Sequence, residues 1–88
     1  MKTQFENSFK RDLKKLKDAK LRAKIKTAIL DCQEAQSLTE IPNLKKLKGY
    51  DRFYRIRISN YRLGIEVSDE ALIFVRCLHR KDIYRFFP

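Results

Sequence analysis

Residues 53–66, with the sequence FYRIRISNYRLGIE, decide the fold because they contain two alternating segments separated by a turn. Residues two apart on a strand share a face, so Tyr54, Ile56 and Ile58 form an apolar face and the arginines between them lie opposite. A slip of one residue would mix arginines with the core. A turn of two or four residues at Ser59-Asn60 predicts a single register, with the pairs Ile58–Tyr61, Arg57–Arg62, Ile56–Leu63 and Arg55–Gly64.

This register gathers like charges on the face of the hairpin that points away from the core. Arg57 lies directly opposite Arg62, with Arg55 nearby, and like charges in that arrangement repel each other. Gly64 leaves a notch without a side chain opposite Arg55. One interpretation is a solvated basic face whose repulsion is screened by salt. The other is an anion site, in which guanidinium groups hold phosphates or carboxylates through paired hydrogen bonds. We favour the anion site because a sheet is a rigid platform.

The remaining periodicities predict an α+β fold, with a two-helix hairpin on one face of a sheet. Asn7 is the predicted N-cap of a first helix that ends near Leu16, and Asp18 is the predicted N-cap of a second that ends near Ala35. Residues 37–52 form a connector containing Pro42 and Gly49. The predicted strands are a short N-terminal one within residues 1–5 and an antiparallel three-stranded meander at about 53–58, 61–67 and 72–78.

Length and charge restrict the class of protein. With 88 residues, the chain is predicted to be a single domain, residues 1–88. It has 21 Lys and Arg against 11 Asp and Glu, a net charge of +10, which indicates nucleic acid or an acidic protein as partner. The excess is concentrated between residues 45 and 62, where one acid, Asp51, accompanies seven basic residues: Lys45, Lys46, Lys48, Arg52, Arg55, Arg57 and Arg62.

Two cysteines, Cys32 and Cys77, are expected to be buried free thiols in a reducing compartment. Their spacing and number do not fit a zinc site. We expect no cofactor. The N-terminal residues are too polar for a signal peptide, and no apolar run approaches the ~20 residues of a membrane span. The sequence therefore predicts a cytoplasmic protein without a membrane partner.

The C-terminal stretch RCLHRKDIYRFFP, residues 76–88, adds more of the same chemistry. If the last strand lies beside the second hairpin strand, His79 and Arg80 emerge near Arg57 and Arg62. Histidine titrates near neutrality and can move a proton, and arginines can stabilise the charge that develops on a phosphorane. Tyr84 could stack on a base or position a phosphate, with Arg85 next to it. Alternatively, the tail aromatics fold back into the core.

Together, the run LKGYDRFYRIRISNYRLGIEV and the later IFVRCLHRKDIYRFF resemble the RelE branch of the RelE/ParE toxin superfamily, over residues 44–87. This resemblance implies a toxin of a type II toxin–antitoxin system. It implies an endoribonuclease that enters the ribosomal A site and cuts mRNA by attack of the substrate 2′-OH, without a metal. It also implies an acidic antitoxin as partner. The site residues that carry over are Arg55, Arg57, Arg62, Arg80 and Tyr84.

The sequence departs from the family pattern at the proton acceptor. Some relatives have lysines at the positions of Arg55 and Arg57, and others have a glutamate before the hairpin, where this chain has Asn43 and Leu44. Arginine stays protonated and is a poor base. We therefore expect His79 to act as general base or acid, with Tyr84 as the second candidate. Two alternatives remain open, a ParE-like inhibitor of DNA gyrase on the same fold and a non-catalytic module that binds RNA or an antitoxin.

Overall fold

A computed structural model describes all 88 residues of the chain, which form one five-stranded sheet and three α-helices. The strand order is β1-β5-β4-β3-β2, in which β1 is parallel to β5 and the other neighbours are antiparallel. In chain order the elements are β1 (Thr3–Phe5), α1 (Asn7–Lys15), α2 (Ala19–Glu34), a 3-10 helix (Leu38–Glu40), β2 (Leu44–Lys46), β3 (Phe53–Ile58), β4 (Tyr61–Val67), β5 (Leu72–His79) and α3 (Ile83–Phe86). The predicted α+β class is confirmed.

The hairpin of β3 and β4 has the register that the alternation predicts. Arg57 pairs with Arg62, Arg55 with Gly64 and Ile56 with Leu63. The connection is the two-residue turn, in which Ser59 has a φ of 52°, in the left-handed region. Ile56 and Leu63 are 2% and 0% exposed, so the apolar face of the hairpin is the one that enters the core.

The prediction of a three-stranded meander with one N-terminal strand is incomplete, because the connector contains a further strand, β2. Its residue Lys45 pairs with Arg55 of β3, and Leu44 pairs with Ile56. Three residues bounded by a turn on each side are too few to show alternation, and opposed cations are not a favourable strand pair. Main-chain hydrogen bonding therefore places β2, which forms one edge of the sheet.

The two predicted helix starts differ in outcome. Asp18 caps α2 as predicted, because its side chain accepts hydrogen bonds from the N–H groups of Lys20 and Leu21 at 2.9 and 3.1 Å. The prediction of Asn7 as N-cap of α1 is wrong, since Glu6 has that position and makes no side-chain cap. The Glu6 N–H instead donates to the Phe74 carbonyl at 2.9 Å. The last residue before α1 is thus held by a main-chain hydrogen bond to β5 and not by a side-chain cap.

The main core lies between the sheet and the pair of helices α1 and α2. Phe9 of α1 packs against Phe74 of β5 with ring centroids 5.3 Å apart, and both side chains are fully buried. Cys32 and Cys77 are buried free thiols, as predicted. Burial, followed by the charge of Asp31, raises the pKa of Cys32 to about 11, with the N-terminal ammonium acting in the opposite direction. Burial and Asp12 raise the pKa of Cys77 to about 12, so both thiols stay protonated at neutral pH.

A second, smaller cluster lies on the opposite face of the sheet. It consists of Leu47, Ile83 and Phe87, with Val75 and Leu78 of β5 packed against it. The expectation of helices on one face only is therefore corrected, because α3 folds back over the face that carries the arginines. Ile83 and Phe87 are four residues apart, so one turn of helix brings both side chains onto the sheet.

The open edge of β5 is closed by side chains of α1, a feature that sequence reasoning missed. β1 pairs with only the first three residues of β5. Beyond them, the Ser8 hydroxyl donates to the Val75 carbonyl at 2.6 Å, and the Asp12 carboxylate accepts from the Cys77 N–H at 2.9 Å. The same carboxylate accepts from Arg76 Nε at 2.8 Å and from Nη2 at 3.2 Å. Its hydrogen bond raises the pKa of Arg76, against the effect of burial.

Candidate functional site

Three arginines share the face of the hairpin that points away from α1 and α2, and main-chain carbonyls hold two of them. Arg62 donates from Nη1 to the carbonyls of Ser59 and Tyr61, at 3.1 and 2.9 Å. Arg55 donates from Nη1 to the Asn43 carbonyl at 3.0 Å, while Arg57 makes no side-chain hydrogen bond and is exposed. A guanidinium has five N–H donors, so each group keeps donors free for an anion.

The charges around Arg62 show that these side chains form one electrostatic cluster. Burial is the largest cause that lowers the pKa of Arg62, and the next is the positive charge of Arg55. Tyr84 raises that pKa, while Arg57 and Arg80 lower it. Arg62 therefore lies within range of four other predicted site residues. None of these arginines forms an ion pair within the chain, and crowded cations of this kind are stabilised by an anion.

The tail brings Arg80 and Tyr84 to the cluster by a sharp reversal after β5. The Arg80 N–H donates to the Asn60 carbonyl at 2.7 Å, which ties the end of β5 to the hairpin turn. The Asp82 N–H then donates to the His79 carbonyl at 2.8 Å, and α3 begins at Ile83. Tyr84 is 62% exposed on α3, so its ring is available to a ligand.

The sequence predicted an empty notch at Gly64. In the structure this notch holds the ring of Phe87. A Cβ atom at position 64 would lie 2.7 Å from Cγ and from Cδ2 of that ring. Phe87 is 2% exposed and packs edge-on against Phe53 at 5.6 Å between centroids. Because Gly64 has no side chain, the Phe87 ring can pack directly on the sheet. This contact positions α3 and Tyr84. Of the tail aromatics, Phe87 folds inward as the alternative expected, while Tyr84 and Phe86 do not.

Gly64→Ala should dislodge Phe87 and lower the free energy of unfolding by about 1–3 kcal/mol, because the added methyl overlaps a buried ring. Urea unfolding of the single variants and of Gly64→Ala/Phe87→Ala measures the coupling. In the Phe87→Ala background the glycine substitution should be neutral or stabilising, since alanine is favoured over glycine in a strand. An equal loss of stability in both backgrounds would contradict this role for the notch.

His79 ends β5 beside the hairpin turn, as expected, but it faces the other side of the sheet from the arginines. It pairs with Tyr61 of β4, a residue on the core side of the hairpin, and their rings meet edge-on at 5.5 Å. Its Nδ1 accepts a hydrogen bond from the Lys81 N–H at 3.1 Å. The neighbour Leu78, which pairs with Arg62, is the residue of β5 that faces the arginine side. Alternation along β5 therefore points the histidine away from the cluster, and the proposed site does not include it.

The predicted basic residues around the cluster divide into three groups. A groove of about 600 Å³ joins Arg55 and Tyr84 to Lys45, Lys46 and Lys48 of the connector, which are all exposed; we call it the basic groove. Of these lysines, Lys46 has its Nζ 3.9 Å from an oxygen of Asp51.

The other two predicted basic residues lie outside the basic groove. Arg52 lies at the end of β3 far from the turn. Arg85 of α3 has its guanidinium carbon 5.4 Å from the centre of the Phe86 ring.

Comparison with known proteins identifies the family. The family described as "ParE toxin of type II toxin-antitoxin system, parDE" matches residues 4–84. Toxin RelE3 of Methanocaldococcus jannaschii is 47% identical over 89 aligned residues that cover both chains completely. This chain belongs to the RelE/ParE superfamily of type II toxins. The resemblance read from residues 44–87 is thereby confirmed and extends to the first half of the toxin.

Solved structures support the same assignment for the fold of the toxin. The RelB-RelE antitoxin-toxin complex from Methanococcus jannaschii contains a chain with 46% identity and a TM-score of 0.81, which covers 97% of this toxin and 99% of that chain. The toxin-antitoxin complex RelBE2 from Mycobacterium tuberculosis has 26% identity and a TM-score of 0.69, with 92% of each chain covered. None of the toxin's helices has the length and apolar character of a membrane span.

Proposed function

We propose that residues 1–88 act as a single toxin domain that cuts mRNA in the ribosomal A site. The observation that carries the proposal is the cluster of Arg55, Arg57, Arg80 and Tyr84 around Arg62. Phosphodiester cleavage needs positive hydrogen-bond donors where charge develops, and guanidinium groups provide them. The RelE names of the relatives support this reaction over other activities of the superfamily.

In the proposed reaction the substrate supplies the nucleophile, without a metal. The 2′-oxygen attacks the adjacent phosphorus and loses its proton, the bond from phosphorus to O5′ breaks, and O5′ takes up a proton. The products are a 2′,3′-cyclic phosphate and a free 5′-hydroxyl. Arg62 and Arg80 stabilise the phosphorane, and Tyr84, which lies within electrostatic range of Arg62, donates and accepts the protons. The ribosome supplies alignment, which is worth about 7–11 kcal/mol of the barrier.

The proposed protein partner is an acidic antitoxin. The chain carries a net charge of +10, and solved relatives are complexes of a toxin with its antitoxin. A highly basic surface is matched best by an acidic chain. A cytoplasmic location is part of the same proposal, since ribosomes and mRNA are there.

The direct test is a reconstituted reaction with ribosomes that carry a defined codon in the A site. We expect cleavage within that codon, an upstream fragment that ends in a 2′,3′-cyclic phosphate, and very little cleavage of the same mRNA without ribosomes. A 2′-deoxy nucleotide on the 5′ side of the cut should block the reaction. Cleavage of that deoxy substrate would overturn 2′-OH attack, and intact mRNA throughout would overturn the activity.

His79→Gln tests the assignment of the proton-moving group. Because His79 faces Tyr61 rather than the arginines, we expect the rate of ribosome-dependent cleavage to change less than about threefold, well below the 10²–10⁴-fold typical of a lost general acid or base. The rate should be measured in single turnover, alongside Tyr84→Phe. A loss of a hundredfold or more in His79→Gln, with ribosome binding retained, would return the histidine to the mechanism.

The family description names ParE, so a gyrase inhibitor is the second candidate function. Assays of mRNA cleavage and of DNA damage in cells that express the toxin distinguish the two functions, since gyrase inhibition damages DNA and leaves mRNA intact. A third candidate, a non-catalytic module that binds RNA or the antitoxin, predicts neither cut mRNA nor DNA damage.

A further inference from the structure

A second exposed tyrosine borders the basic groove that Tyr84 lines. Tyr50 is 47% exposed, although its size would favour burial in so small a protein. Its aromatic contact is with Phe53, edge-on at 5.6 Å between ring centroids. Phe53 in turn meets Phe87 at 5.6 Å, beneath the helix that carries Tyr84. A row of three rings therefore runs from Tyr50 through Phe53 to Phe87, and Tyr84 lines the same groove.

A tight turn of the main chain fixes the position of Tyr50. The Tyr50 N–H donates to the carbonyl of Leu47 at 3.3 Å, and Leu47 is buried in the smaller cluster. Between them Gly49 has a φ of +85°, the conformation that a type II turn requires at its third residue. Nothing lies within 4 Å of a Cβ built on Gly49, so backbone conformation rather than packing explains the glycine there. The turn holds the Tyr50 ring at the rim of the groove.

The lining of the groove favours one kind of ligand. It contains Lys45, Lys46, Lys48 and Arg55 and no acidic side chain, since Asp51, 3.9 Å from Lys46, lies outside the lining. Cationic grooves with exposed rings are the usual sites for single-stranded nucleic acid, where phosphates meet the cations and bases stack on the rings. An acidic peptide would also meet the cations, but the stacking of bases on exposed rings is specific to nucleic acid. We propose that Tyr50 is a second stacking platform, which holds an mRNA base outside the step that is cut; this rests on the proposed function.

The test uses fluorescence, because the chain contains no tryptophan. Tyr50→Trp keeps an aromatic ring at the rim, and Leu30→Trp is the matched control, since Leu30 is 46% exposed on α2 and outside the groove. Both are titrated with fluorescently labelled 2′-O-methyl hexa-adenylate, which cannot be cut, at low ionic strength. Fluorescence anisotropy of the label measures RNA binding. We expect binding to quench the tryptophan emission at position 50 and not at position 30. Tyr50→Ala should weaken binding about tenfold.

The outcomes separate this inference from the proposed function. Binding of the oligonucleotide without quenching at position 50, or with unchanged affinity in Tyr50→Ala, would overturn the Tyr50 platform and leave the RNA site standing. Equal quenching by polyglutamate of the same charge would show a surface that responds to acidic chains, and would overturn base stacking. Absence of RNA binding by every variant would overturn the platform, while the ribosome-dependent cleavage assay would still decide the function.

Discussion

Arg62→Ala should reduce the rate of ribosome-dependent mRNA cleavage by about 10²–10³-fold, the loss that follows removal of a preorganised donor to a developing oxyanion. Arg62 is the most constrained of the hairpin arginines. Its Nη1 is fixed by two carbonyls of the turn, and the charges of Arg55, Arg57 and Arg80 surround it. An alanine there leaves the remaining cations without their central member.

Single-turnover cleavage with toxin in excess over programmed ribosomes measures this effect on the chemical step. Arg11→Ala is the matched control, because Arg11 is an exposed arginine of α1 and its loss changes net charge by the same amount. Co-sedimentation with ribosomes should show similar binding for both variants. Arg62→Lys should recover only part of the rate, since an ammonium cannot reproduce the paired geometry of a guanidinium. Equal rates for the Arg62 and Arg11 variants would remove Arg62 from the site.

Asp12→Ala should lower the free energy of unfolding by about 3–5 kcal/mol, because it breaks a buried charge pair by removing one partner. The carboxylate is 6% exposed and accepts three hydrogen bonds, two from Arg76 and one from the Cys77 N–H. Its loss leaves a guanidinium and a main-chain donor without acceptors at the edge of β5. A domain of this size has only about 5–15 kcal/mol of stability in total, so the variant should be close to unfolding.

Chemical denaturation followed by circular dichroism measures this loss. Asp51→Ala is the control, because that carboxylate is fully exposed and its one ion pair, with Lys46, is long at 3.9 Å. The free energy of unfolding of this variant should not change measurably. Replacing both partners, as in Asp12→Leu/Arg76→Met, should recover much of the stability, because apolar pairs of similar volume often substitute for buried ion pairs. A small loss in Asp12→Ala would show that water reaches Arg76 and the edge of β5.

Features with a strong local signal were predicted well. The alternation in residues 53–67 specified both hairpin strands and their register, since a slip of one residue would bury arginines. Asp18 specified the start of α2 through its own side chain. The short strand β2 and the cap of α1 were missed or misplaced, because contacts with distant strands fix them rather than local residue patterns.

For the site, the sequence by itself determined that Arg55, Arg57 and Arg62 lie together, since strand alternation and a two-residue turn leave no other arrangement. Only the tertiary structure decided what surrounds them. The Phe87 ring in the Gly64 notch brings Tyr84 to the arginines, and the alternation of β5 turns His79 toward Tyr61. Both depend on how a reversed tail and an irregular strand pack on the sheet, and such long-range contacts leave no periodic trace in the chain. The basic hairpin could thus be read from fourteen residues, whereas the partners of its arginines required the whole fold.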